Sequence, residues 1–135
     1  MYLSILTLYI ILTKMVELYF KNSRFIGIAH QISSKQELKL LTEQLRKQYK
    51  KATHICYGYL FKDNGIETAG FSDDNEPKNT AGKPIYDLLR IKRLYGYVVF
   101  VIRFFGGIKL GTGGLIKAYR KTASATIDLI FASTF

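Results

Sequence analysis

A chain of 135 residues with 48% hydrophobic content falls in the range of one domain and can bury a single packed core. Twenty Lys and Arg against ten Asp and Glu give a formal net charge of +10, a field that attracts polyanions such as RNA or an anionic membrane surface. The single cysteine, Cys56, excludes an internal disulfide, and no Cys/His pattern has zinc spacing, which together fit the reducing cytoplasm.

The first thirteen residues, MYLSILTLYIILT, are apolar and uncharged. They fall short of the roughly 20 residues of a spanning helix, and they lack a basic start and a small-residue cleavage site. Met15 offers a second start, so residues 1–14 are read as an upstream extension and 15–135 as one domain with no membrane span. RFIGIAHQI, 24–32, alternates as a strand, with Glu17 to Phe20 as its short hairpin partner. Ser34 and Glu37 form a capping box, and Leu38, Leu41, Leu45 and Tyr49 follow at helical spacing, which predicts an amphipathic helix over about 35–50.

HICYGYLF, 54–61, reads as a strand, and Asp63-Asn64-Gly65 is a tight turn into a returning strand over 66–71. His30 and His54 sit in alternating apolar runs and are read as packed or surface histidines rather than ligands. FSDDNEPKNTAGKP, 71–84, has no apolar period and is read as a loop of functional length. Pro84 suits the first turn of a helix carrying Ile85, Leu88 and Leu89. YGYVVFVIRFF, 95–105, is a central strand buried on both faces. Leu115, Ala118, Tyr119, Thr122, Thr126, Leu129 and Ile130 then keep helical spacing. This order predicts an α/β fold, a two-layer sandwich of one mixed sheet with helices packed on a face.

Two segments carry the candidate chemistry. RFFGGIKLGTGGLIKAY, 103–119, places Gly106, Gly107, Gly111, Gly113 and Gly114 between a strand and a helix. It fails the phosphate-loop pattern, because Thr112 and Gly113 stand where Lys and Ser or Thr are needed. It fails the dinucleotide fingerprint, because Ile116 takes the third glycine's place. An anion site remains open to it, formed by the free amides of the helix start with Arg103, Lys109, Lys117 and Arg120 nearby. From Leu88 to Ile127 there are eight basic residues and no acidic one. The alternative is a turn, with Gly106 and Gly107 leading the chain out of the strand and Gly113 and Gly114 allowing close helix packing.

The other segment clusters Asp73, Asp74 and Glu76. Carboxylates this close suit a divalent cation or a general base, but the pattern lacks the longer ligand ladder of a calcium loop. Turn-forming bonds to the backbone, or contact with a partner, are the other reading. Ser72 has no paired histidine and Cys56 lies mid-strand, so no catalytic residue, metal or cofactor is assigned.

Together, GFSDDNEPKNTAGKP at 70–84 and RFFGGIKLGTGGLIKAY at 103–119 resemble the N-terminal domain of the IMPACT family, in its bacterial, YigZ-like branch. KNSRFIG at 21–27 and ATHICYGY at 52–59 look like that family's opening segments, so the resemblance spans about Glu17 to Ile130. It implies the fold of the second domain of ribosomal protein S5. It also implies a role in regulation of translation: eukaryotic relatives compete for the activator of a starvation-sensing kinase, a stress response, and bacterial relatives are described as RNA- or ribosome-associated.

The chain departs from the family pattern in several places. Asn75 stands where glycine is usual, Lys78 and Asn79 replace a small residue and glycine, Phe104 replaces a tyrosine, and Arg120 takes a serine's place. Relatives commonly carry a second, ferredoxin-like domain, which is expected to be absent from this chain.

The site implied comprises Arg103, Gly106, Gly107, Lys109, Gly111, Thr112, Gly113, Gly114, Lys117 and Tyr119, with Ser72, Asp73, Asp74, Glu76, Pro77, Thr80, Ala81, Gly82, Lys83 and Pro84 beside them. The expected function is a cytoplasmic, translation-associated module that binds RNA, the ribosome or a protein partner, with no DNA-specific motif. An enzyme acting on a phosphorylated small molecule or nucleotide, and a pure protein-interaction domain, are the alternatives.

Overall fold

The computed structural model describes residues 15–132. The proposed extension over 1–14 lies outside the described residues. Strands β1 (Val16–Phe20) and β2 (Ser23–Gln31) form the first hairpin, turning through Lys21 and Asn22 at φ 44° and 66°. Helix α1 (Lys35–Gln48) starts where the sequence places it, with Ser34 Oγ accepting the Glu37 amide at 3.1 Å. The box closes one residue early, because Glu37 Oε1 accepts from the Ser33 hydroxyl at 2.6 Å and the Ser33 amide at 3.3 Å. Strands β3 (His54–Asp63) and β4 (Ile66–Ser72) are joined by Asn64 and Gly65, both at positive φ. Helix α2 (Gly82–Ile91), strand β5 (Tyr97–Phe104) and helix α3 (Gly111–Ala132) complete the order, α2 beginning two residues before Pro84.

The strands lie in the order β1-β2-β5-β3-β4. The α/β class holds, with two differences in arrangement. Every ladder among the described residues is antiparallel, where a mixed sheet was expected. The strands β2 and β3 that flank α1 do run the same way, but β5 inserts between them and pairs antiparallel with both.

The helices also cover both faces rather than one. Strand alternation sends Phe25, Cys56, Val99 and Val101 toward Ile85, Leu89, Ala118 and Tyr119 of α2 and α3. It sends Ile26, Ile28, Val98, Phe100 and Ile102 toward Leu38, Leu41 and Leu45 of α1. Burying each of these leucines contributes about 1.5–3 kcal/mol, enough to hold α1 on the sheet face that α2 and α3 leave free. The expectation for β5 is met: Val98 to Ile102 are buried throughout. Among the described residues no helix is long and apolar enough to cross a membrane.

Candidate functional site

The β3–β5 register sets His54 opposite Arg103, and the β2–β5 register sets Phe25 on the other side of Arg103. All three side chains lie on the sheet face that carries α2 and α3. Above them hangs the acidic loop that joins β4 to α2.

Each carboxylate of that loop has a separate employment. Asp73 reaches forward to the start of α2, its oxygens accepting from the amides of Asn79 (2.9 Å), Ala81 (3.2 Å) and Gly82 (2.8 Å). Ala81, at the cap position, has no side-chain oxygen to do this, so Asp73 caps the helix from eight residues upstream. Asp74 accepts from the Ile55 amide at 2.7 Å and pairs with Arg46 of α1 at 3.1 Å. Ser72 Oγ accepts from the Asp74 amide, closing the turn. Asp74, Asn75 and Asn79 adopt positive φ, so asparagine serves where the family pattern has glycine.

Glu76 points inward. Arg103 Nη1 lies 2.9 Å and 3.1 Å from its two oxygens, and Tyr119 Oη–H donates to it at 2.5 Å. His54 Nε2 stands 3.3 Å away, while His54 Nδ1 lies 2.8 Å from the Asp74 carbonyl. Both ring nitrogens therefore face oxygens. Ser23 Oγ accepts from Arg103 Nε and Nη2 and from the Gly106 amide, tying β2 to the glycine loop. Cys56 Sγ–H donates to the Asp73 carbonyl at 3.2 Å and lies 3.5 Å from Tyr119 Oη. Burial pushes the Cys56 thiol and the Tyr119 phenol well above their ordinary values.

A recess of about 450 Å³ opens over this network, lined by Glu76 and Pro77 of one segment and by Arg103, Lys109, Gly111 and Thr112 of the other. Thr53, His54, Phe105, Leu110 and Leu115 complete it. The two segments thus meet.

Not every expected residue reaches the recess. Arg103 lines it but is paired with Glu76, so it is no free cation for phosphate. Asp73, Thr80, Ala81, Gly82 and Tyr119 act beneath or beside it: Thr80 is buried with its hydroxyl on the Pro77 carbonyl, and Tyr119 is fully buried. Lys83 and Pro84 border a different hollow, between α2 and α3, together with Arg120. Lys117 is exposed on α3.

The glycines divide likewise. Gly111 holds a positive φ of 73°, while Gly106, whose Cβ would collide with the Asn22 backbone, and Gly107, at φ 88°, fit the turn reading. It does not account for Gly113, whose missing side chain would meet open space; close helix packing is not its reason. Sequence reasoning missed Ser23, Thr53 and Phe105, and it set His54 apart from the acidic loop. Phe104, which replaces a tyrosine of the family pattern, faces the α1 side, where it packs on Tyr49. Among the described residues no group of three or more His, Cys, Asp and Glu side chains could hold a metal ion.

The model of the Impact N-terminal domain matches residues 21–127, which contain the whole of this network. The chain belongs to the IMPACT family. It is 41% identical to the IMPACT family member YvyE of Bacillus subtilis over 84% of this chain and 52% of that protein. It spans about half the length of the curated IMPACT relatives it matches. A crystal structure of a hypothetical protein superposes with a TM-score of 0.78 at 34% identity, covering 84% of this chain and 56% of the other. The two-domain translational regulator Yih1 shares the fold at a TM-score of 0.51 and 19% identity, over 84% of this chain and 45% of that one.

Proposed function

We propose that this IMPACT domain is a cytoplasmic binding module of translation control, not an enzyme, and that it holds RNA, free or in the ribosome, at the recess between the acidic and glycine-rich segments. The observation that carries the reading is the outer wall of the recess. Lys109 is exposed there beside the amino end of the 22-residue helix α3, which has no acidic residue in its first turn. Glu76, the acid nearest that wall, is already neutralised by Arg103. Free amides, the helix dipole and a lysine then face a phosphate without an opposing charge. Lys117, Arg120 and Lys121 extend the positive surface along α3. Family membership supports the translational setting, since the structurally similar Yih1 is described as a translational regulator.

The test is co-sedimentation with ribosomes and equilibrium binding to RNA across a salt series. Lys109→Ala with Lys117→Ala and Arg120→Ala is expected to weaken binding and flatten the salt slope by about 0.7–0.9 per lost phosphate contact. Arg103 stays intact in that variant, because its loss would disturb the fold. No binding at low salt, or a slope unmoved by the triple variant, overturns the reading.

A further inference from the structure

Phosphate contacts alone leave part of the recess unexplained, because Phe105, Pro77, Leu110 and Leu115 add apolar lining to that of Lys109 and Thr112. Phe105 is the informative member. It follows the buried strand β5, yet it remains 48% exposed. Its position is nonetheless fixed on two sides. The Phe105 amide donates to Thr53 Oγ1 at 3.0 Å, and the Arg103 guanidinium lies 5.4 Å from the ring centroid. Arg103 is in turn locked by Glu76 and Ser23. An aromatic ring held in place while half open to solvent loses little freedom on binding, and it offers a π-face to a planar ligand.

The two kinds of lining match the two halves of one nucleotide. A base is flat and stacks on aromatic rings whatever its sequence, and a phosphate is drawn to a lysine and to helix amides. A paired duplex cannot present both, because its bases are enclosed within the helix. Gly113 adds an independent observation: a glycine in the first turn of α3, with open space where a side chain would stand, leaves room for another backbone to approach.

We infer that the recess takes one unpaired ribonucleotide of a single-stranded RNA, its base stacked on Phe105 and its phosphate beside Lys109 and the amino end of α3. This rests on the RNA-binding reading above and narrows it from phosphate backbone to single-stranded RNA.

The chain contains no tryptophan, so Phe105→Trp places a single tryptophan at the site, which can be excited apart from the ten tyrosines. The full chain is titrated with a single-stranded oligoribonucleotide, the duplex of the same sequence and a mononucleotide. Expected are quenching of the new tryptophan by the single strand, weaker binding of duplex and mononucleotide, and a loss of about 5- to 100-fold for Phe105→Ala. Phe105→Leu, which keeps the apolar bulk, should lose nearly as much, and thermal melting shows that each variant is folded. Salt-sensitive RNA binding that is equal for single strand and duplex, and indifferent to Phe105, overturns the inference and leaves the phosphate reading standing. Mononucleotide binding as tight as the oligonucleotide's also overturns it, in favour of a free nucleotide. No RNA binding of any kind at low salt sinks both and points to a protein partner.

Discussion

Glu76 and Arg103 form a buried ion pair that fastens the acidic loop to the central strand, with Arg103 Nη1 2.9 Å from Glu76 Oε2. Glu76 is 7% exposed and Arg103 5%, so each charge is compensated mainly by the other rather than by water. Glu76→Ala strands the guanidinium, and removing one partner of such a pair is expected to cost about 3–5 kcal/mol. Urea unfolding measures it; a loss under about 1 kcal/mol would mean that Arg103 finds solvent once Glu76 is gone.

Asp73 holds three amides at the start of α2, two of them in the cap itself. Asp73→Ala should therefore destabilise by about 1–2 kcal/mol. Asp73→Asn, which keeps one acceptor oxygen, should lose less. If a carboxylate were needed for a bound cation, Asn and Ala would be equally damaging to divalent-ion binding with little change in the urea midpoint; the hydrogen bonds favour the structural outcome.

Gly113 and Gly111 are expected to respond in opposite ways to alanine. Gly111 has φ +73°, where an L side chain is strained, so Gly111→Ala should destabilise by about 1 kcal/mol or more. Gly113 lies in the helix without that φ and with free space around it, so Gly113→Ala should stabilise by about 0.5–1 kcal/mol. The same substitution should weaken RNA binding, which separates a binding role from a folding role in one variant. Unfolding midpoints and oligonucleotide titration give the two readouts.

Cys56 is fully buried, and its thiol is pushed upward chiefly by desolvation. A thiol reagent at pH 8 should leave the native protein unmodified and react once it is unfolded. The same shift makes stability depend on alkaline pH. Below about pH 8.5, the ordinary thiol value, folded and unfolded chains both keep the proton and the contribution is level. Above it the unfolded thiol ionises while the folded one does not, so stability should fall by up to about 1.4 kcal/mol per pH unit. Cys56→Ser, with its hydroxyl un-ionised, should flatten that decline. Tyr119, also raised mainly by burial, adds a second fall beginning near pH 10.

Local signals carried most of the elements. Ser34 with Glu37, Asn64 with Gly65, and the apolar run ending at Arg103 each name a structure through neighbours in the chain. The motifs also brought both site segments into view. What stayed hidden depends on non-neighbours. No local pattern says that β5 enters between β2 and β3, yet that insertion makes the sheet antiparallel throughout and sets His54 against Arg103. Likewise, Arg103 counts as one more positive charge until the fold closes Glu76 over it. The remaining arginines and lysines near the site keep their expected surface positions, because nothing buried competes for them.

The insertion of β5 bears on how the molecule is made. During synthesis the β1–β2 hairpin, α1 and the β3–β4 hairpin all emerge before residues 97–104, which separate and join the two hairpins. Until then each hairpin has an unfilled edge, and the apolar faces of both have no central strand to close upon. Tertiary structure must form late and nearly at once, when the fifth strand slots home, and a nascent chain stalled before Tyr97 would be a target for chaperones.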